Sequence, residues 1–324
     1  MDRRSFIKKS TLAAGSAVLY PRFSSGKSMP VNEKSRVVQV TRASEPENSD
    51  QILDLLDNGL CRLFDCDNPV EAWQKIVKPG ESVGLKVNCL AGYGSTHMLL
   101  TDAVIERLQQ AGIKNRNIII WDRLSKDLED GGFKIQDQKN KVRVLGNDIL
   151  GFNEELQFFG SAASLVCNTV FRECDCLINL PLLKDHSIAG LTMALKNMFG
   201  AIHNPNKYHL NAGNPYIADV NMLPPIRKKV RLHICDAIEA QYEGGPSFLP
   251  HWRWRLNSLL FSTDPVAMDY YGWQIIDKKR NEMGFKSLKE VGREPKYIAT
   301  AADKDHRLGT DKPNRIDFIK VHSS

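Results

Sequence analysis

The stretch Thr101-Asp102-Ala103-Val104-Ile105-Glu106-Arg107-Leu108-Gln109-Gln110-Ala111-Gly112, continued by Ile113-Lys114-Asn115-Arg116-Asn117-Ile118-Ile119-Ile120-Trp121-Asp122, joins a helix to a strand. Thr101 is placed to cap the helix, and Val104, Ile105, Leu108 and Ala111 share one face. Gly112 stops it, because glycine accepts the left-handed backbone that closes many helices. The run from Asn117 to Trp121 then reads as a strand, apolar on both faces, as strands covered from both sides are. Similar strand signals occur at residues 37–40, 82–87, 176–180 and 230–235. Asp264-Pro265 opens another helix, with proline at its first position and Ala267, Met268, Tyr271 and Ile275 spaced for burial. Strands separated by helices predict an α/β fold: a mostly parallel β-sheet with helices on both faces.

The chain has 324 residues, 42% apolar and 25% charged, which excludes a disordered, collagen-like or membrane-embedded protein. Its net charge of +6 suggests at first a polyanion binder. The charge is concentrated at the N-terminus, where Arg3, Arg4, Lys8, Lys9, Arg22 and Lys27 face one acid, Asp2, so that residues 30–324 are left at about +1. A near-neutral remainder excludes nucleic acid as a partner.

Asp2-Arg3-Arg4-Ser5-Phe6-Ile7-Lys8, followed by a weakly apolar run from Ser10 to Tyr20 and a polar Ser24-Ser25-Gly26-Lys27-Ser28, resembles a twin-arginine export signal. Residues 1–30 are therefore expected to be a signal segment cut between about residues 20 and 30. Residues 31–324 are expected to form one large α/β domain in an exported, periplasmic protein. The twin-arginine export machinery is the partner this implies, and no integral membrane segment is expected in the mature form, since the apolar run is too short to span. Seven cysteines in an oxidising compartment are compatible with disulfides, and the odd number leaves at least one thiol unpaired. Cys174-x-Cys176, read as part of a strand, would place both thiols on one face, for packing, a disulfide or a metal.

In a parallel sheet, ligands bind beyond the carboxyl ends of the strands. Asn88, Asp122 and Asp236 stand at three such ends, as candidates for one rim or as ordinary turn residues. The least generic stretch runs from Asn179 to Gly200: a buried strand ending at Pro181, a loop carrying Lys184 and His186, and an apolar helix carrying Lys196 and Asn197. It resembles the signature of the domain of unknown function 362 family. Gly84-Leu85-Lys86-Val87-Asn88, Ser95-Thr96-His97, His209 with Ile217-Ala218-Asp219, Asp236-Ala237, Glu243-Gly244-Gly245-Pro246 and residues 262–269 follow in the family's order. The resemblance covers about residues 70–280. It implies the fold and a site and leaves the reaction open. Many relatives carry cysteine spacings for iron–sulfur clusters, whereas this chain has no Cys-x₂-Cys, so no iron–sulfur cluster is expected.

The expected site has Lys184, His186 and Lys196 as catalytic groups and Asn88, His97, Asn197, Asp122, His209 and Asp236 as substrate-binding groups. Lysines suit a carboxylate, phosphate or sulfate, and burial can bring one into general-base range. Histidines shuttle protons or bind a divalent metal, with Asp122, Asp236 or Asp264 as oxygen ligands or tautomer-fixing partners. Such a metal is compatible with the residues, but no ligand set is assigned. The histidine and lysine pattern is loosely similar to that of nickel-dependent hydroxy-acid racemases. Glu243–Pro246 and His251-Trp252-Arg253-Trp254-Arg255 read as a flexible wall or lid, or as tryptophans anchoring a loop. Two functions remain open. One is an enzyme acting by acid–base chemistry on a small, oxygen-rich, anionic molecule. The other is a non-catalytic periplasmic protein that binds an anion or a cofactor.

Overall fold

The computed structural model describes residues 34–90 and 92–323. The signal segment expected over residues 1–30 lies outside the described residues. The strands, in chain order, are β1 (Ser35–Thr41), β2 (Val83–Lys86), β3 (Ile118–Asp122), β4 (Arg143–Gly146), β5 (Gln157–Phe159), β6 (Ala162–Ser164), β7 (Cys176–Asn179), β8 (Leu182–His186), β9 (Gly190–Thr192), β10 (Val230–Gln241), β11 (Arg253–Ser262) and β12 (Ile316–His322). One ten-stranded sheet has the order β12-β1-β11-β10-β7-β2-β3-β4, with β8 on β10 and β9 on β8. The run from β10 to β4 is parallel throughout, and antiparallel pairing is confined to β11 with its two neighbours and to the β8–β9 hairpin. Strands β5 and β6 form a separate ribbon.

Alternation along the strands divides the core into two layers. Ile118 and Ile120 of β3 pack on one side with Leu55, Leu56 and Leu60 of the helix Ser49–Phe64 and Leu100, Val104 and Leu108 of the helix Met98–Gln110. Ile119 and Trp121 pack on the other side with Val266, Met268 and Ile276 of the helix Pro265–Glu282 and Ile217 and Val220 of the helix Tyr216–Met222. Helices thus cover both faces, as the doubly apolar strands require, each buried aliphatic side chain contributing about 1.5–3 kcal/mol. Asp264 caps its helix by accepting from the backbone N–H groups of Val266 and Ala267, with Pro265 at the first helical position.

Local readings needed correction in several places. The helix read from Thr101 starts at Met98, and Thr101 lies inside it, its hydroxyl donating to the Met98 carbonyl. Gly112 follows the helix at φ +95° as expected. Cys174 and Cys176 do not share a face: the helical turn Thr169–Glu173 runs up to Cys174, the strand begins only at Cys176, and the two thiols lie in opposite core layers. All seven cysteines are free, and burial pushes the Cys176 and Cys167 thiols up to about 12. The lid reading of His251–Arg255 gives way to β11, whose Trp254, with Trp252 just before it, stacks edge-on against Tyr242. Among the described residues, no helix is long and apolar enough to cross a membrane.

The main departure concerns Lys184 and His186. They lie on β8, and β9 with the single turn Ala194–Asn197 replaces the expected loop and apolar helix. β10 is twelve residues long and serves two strands in succession, pairing with β7 over Val230–His233 and with β8 from Asp236 onward. Between them Pro181, which has no N–H to donate, accepts from Asp236 N at 2.8 Å. β8 therefore extends past the carboxyl ends of β7, β2 and β3 and carries its side chains over the crevice beyond them.

Candidate functional site

A cavity of about 560 Å³ opens at these strand ends. Because alternate residues of a strand face the same way, Lys184 and His186 both line it, and Asp185 does not. Lys86, Asn88 and Asp122 reach it from the ends of β2 and β3, and Lys196, Asn197 and His209 line it as well. Seven of the nine expected residues thus meet at one cavity: Lys184, His186, Lys196, Asn88, Asn197, Asp122 and His209.

His97 and Asp236 do not line it. Since β10 continues past β7, Asp236 is a mid-strand residue and not a strand end. Its buried carboxylate accepts from the His97 backbone N–H and bonds His97 Nδ1, both at 2.8 Å. Asp236 pushes the His97 imidazole up to about 9, and although burial alone would raise Asp236, the charge and hydrogen bonds of His97 hold it below the ordinary carboxylate range. This pair ties the start of the helix Met98–Gln110 to β10.

A continuous polar network fixes the cavity floor. Lys184 Nζ donates to Asn88 Oδ1 at 3.1 Å, Asn88 Nδ2 to Asn197 Oδ1 at 2.9 Å, and Asn197 Nδ2 to Asn179 Oδ1 at 2.7 Å. Thr96 holds Asn88 from the other side by accepting its backbone N–H. Lys86 Nζ bonds Asp122 Oδ1 at 2.7 Å, the Val87 carbonyl at 2.5 Å and Asn197 Oδ1 at 3.3 Å. The other Asp122 oxygen takes the Cys89 N–H. Gly200 lies close beside this pair: a Cβ there would stand 2.6 Å from Lys86 Cε and would displace the end of that side chain.

The wall is cationic. Asp122 is neutralised by Lys86, and Asp127 faces Arg123 at 3.7 Å. Lys184 and Lys196 have no carboxylate within ion-pair distance among the described residues. Burial and then Arg253 bring Lys184 down to about 8, and burial and then Lys184 bring Lys196 down to about 7. Lys196 Nζ lies 3.2 Å from His209 Nε2 and 5.1 Å from the Phe199 ring centre. Burial, with Lys196 next, also lowers His209.

His186 is fixed in one tautomer. Its Nδ1 accepts the backbone N–H groups of Ile188 and Ala189, both at 3.1 Å, so the neutral ring carries its proton on Nε2. Burial, followed by the charges of Lys196, His209 and Lys184, lowers its pKa to about 2. His186 stacks on His209 with ring centres 5.6 Å apart. Thr192, the register partner of Lys184 across the hairpin, adds a buried hydroxyl that has no hydrogen-bond partner among the described residues.

The donors do not compose a metal site. Among the described residues, no three His, Cys, Asp or Glu side chains converge, and the charges that act on the two cavity histidines come from lysines. Sequence reasoning missed Lys86, Arg123 and Thr192. For Lys86 the signal was present, as a lysine at the end of an otherwise apolar buried strand.

Comparison with known proteins gives the following. The profile of the family described as Domain of unknown function (DUF362) matches residues 83–274, which hold every cavity residue named above. A thylakoid-associated protein of Synechocystis sp. is 28% identical over 189 residues, 55% of this chain and 58% of that protein, so the chain spans little more than half the length of this curated relative. A crystal structure of a Thermotoga maritima protein overlaps 68% of this chain and 57% of that one, at 12% identity and a TM-score of 0.39.

Proposed function

The chain belongs to the family described as Domain of unknown function (DUF362), and we propose that it is an enzyme acting by acid–base chemistry on a small, oxygen-rich, anionic substrate. The observation that carries this reading is the pair Lys184, buried, and Lys196, half-buried, which line one cavity with no carboxylate within ion-pair distance among the described residues. Two desolvated ammonium groups are costly unless an anion joins them. Lys184, still protonated at neutral pH, anchors that anion. Lys196, with a pKa near 7, exchanges a proton with the substrate, because an acid–base group works best when its pKa matches the working pH. His209 orients the Lys196 amine, and the Nε2–H of His186 and the Thr192 hydroxyl are donors for substrate oxygen.

Proton exchange at carbon, followed by NMR in D₂O over a panel of hydroxy- and keto-carboxylates and phosphate esters, tests the reading. Wild type should exchange at least one compound, with a rate that climbs as pH passes about 7 and Lys196 becomes a free amine. Lys196→Ala should lower the rate by 10²-fold or more without unfolding the chain. Lysine side chains that all titrate near the ordinary 10.5, or an anion bound and never exchanged, would overturn the enzyme reading, the second in favour of a binding protein.

The same proposal places the protein outside the cytoplasm, in the periplasm, after passage through the twin-arginine export machinery. The support is the Arg3-Arg4 leader of the sequence. Fractionation of cells expressing the chain with Arg3 and Arg4 changed to lysine should find it retained inside.

A further inference from the structure

Building on the anion-binding reading of this cavity, we infer that its ligand is an amphiphile, with an anionic head against Lys184 and Lys196 and an apolar chain lying across the cavity mouth. The floor is polar, whereas the exposed lining is mixed, with Leu90 and Ile188 beside Ser187 and Asn206. Leu90 and Ile188 line the cavity while remaining 54% and 47% exposed. Tyr93 is 94% exposed, with its ring 6.4 Å from that of Phe248. Two further exposed leucines, Leu210 and Leu124, directly follow the lining residues His209 and Arg123.

This rim is built into the site. Leu90 follows Cys89, whose N–H is bound by Asp122, and the Ile188 N–H is bound by His186 Nδ1. The groups that position the polar floor therefore also position the apolar edge. A compact hydroxy-acid would leave these side chains in water, whereas exposed apolar residues grouped at one concave place mark a surface that a ligand covers. Charge selects the head group, since the two unneutralised lysines favour a carboxylate or phosphate over an ammonium or an alcohol.

Calorimetric titration of the full chain with n-alkanoates from two to ten carbons tests the inference, with n-alkanols and n-alkylammonium salts as controls. Affinity should rise about two- to threefold for each added methylene until the chain outruns the rim, which is part of the ~4-fold that full burial of a methylene gives. A double variant, Leu90→Ser with Ile188→Ser, should flatten that rise and leave acetate binding unchanged. Lys184→Ala should weaken binding at every length. An affinity independent of chain length would overturn the amphiphile and leave the anion site standing, whereas no binding at any length would overturn the anion site itself. Alkanols binding as well as alkanoates would overturn the role of the head group. Co-sedimentation with anionic phospholipid vesicles that depends on Leu90 and Ile188, without alkanoate binding, would overturn the soluble ligand in favour of a membrane contact.

Discussion

The two faces of β8 treat buried charge in opposite ways. Asp185, fully buried between Lys184 and His186 in sequence, faces away from the cavity into a matched cluster. Its carboxylate takes the Gly245 N–H at 2.8 Å and Arg293 at 3.0 Å, and Arg293 shares Glu243 with Arg280. A Cβ on Gly245 would stand 2.0 Å from the Asp185 carbonyl oxygen, so glycine is required for this approach. The cluster clamps the Glu243–Pro246 loop, so the wall read as flexible is tied to β8. On the cavity face, Lys184 has no carboxylate within ion-pair distance among the described residues, and His186 is neutral. The contrast teaches that one strand can carry a matched charge on one face, Asp185 with Arg293, and on the other a buried lysine with no carboxylate beside it.

The largest expected effect breaks the matched face. Arg293→Ala leaves both the buried Asp185 carboxylate and Glu243 short of their shared partner, and should cost about 3 kcal/mol of stability at pH 7 in urea unfolding. Burial already raises Asp185 to about 6, against the pull of Gly245 and Arg293, so the loss should shrink as pH falls below 6 and the carboxyl takes up a proton. A cost below about 1 kcal/mol would erase the contrast between the faces.

The cavity face should respond with the opposite sign. Lys184→Met removes a buried ammonium and should stabilise the fold by on the order of 1–3 kcal/mol at pH 7 while abolishing anion binding. In the folded chain Lys184 keeps its proton only to about pH 8, in the unfolded chain to about 10.5. Between those values the unfolded state binds more protons, so wild-type stability rises with pH across that window and the advantage of the variant disappears. Denaturant midpoints at pH 7 and 10.5 measure the difference, and a variant less stable than wild type at pH 7 would contradict the argument.

The smallest effect is a sharpening one. Thr192→Val exchanges an unpartnered buried hydroxyl for a methyl group, so the free protein should change by no more than about 1 kcal/mol, towards greater stability. Binding of a short alkanoate should nonetheless weaken severalfold. Unchanged binding would remove Thr192 from the ligand's contacts.

Much of the site was legible because strand ends in a parallel sheet are where ligands bind, and a buried strand followed by lysine and histidine is unusual enough to notice. His97 and Asp236 show where that reasoning stops. They carry the same residue types as the cavity groups, yet Asp236 fully neutralises His97, and the pair serves to fasten a helix. Only the continuation of β10 past β7 distinguishes them, and strand length depends on a partner distant in sequence. The sequence predicts a loop for Lys184 and His186 for the same reason, since Pro181 signals a break and nothing local signals that pairing resumes in β8.

By itself the sequence determined the α/β class, the two-sided core, Gly112 at the end of one helix and Asp264 at the start of another, and Lys184, Asn88 and Asn197 of the cavity floor. These follow from periodicity and from backbone chemistry confined to a few neighbouring residues. Only the tertiary structure decided which charges are neutralised, which histidine is locked as a neutral donor, and that exposed Leu90 and Ile188 line the same cavity as Lys184 and Lys196. The neutralising pairs join groups 30 to 140 residues apart, and the His186 lock, though its donors Ile188 and Ala189 are near in sequence, forms in the turn that the β8–β9 pairing closes.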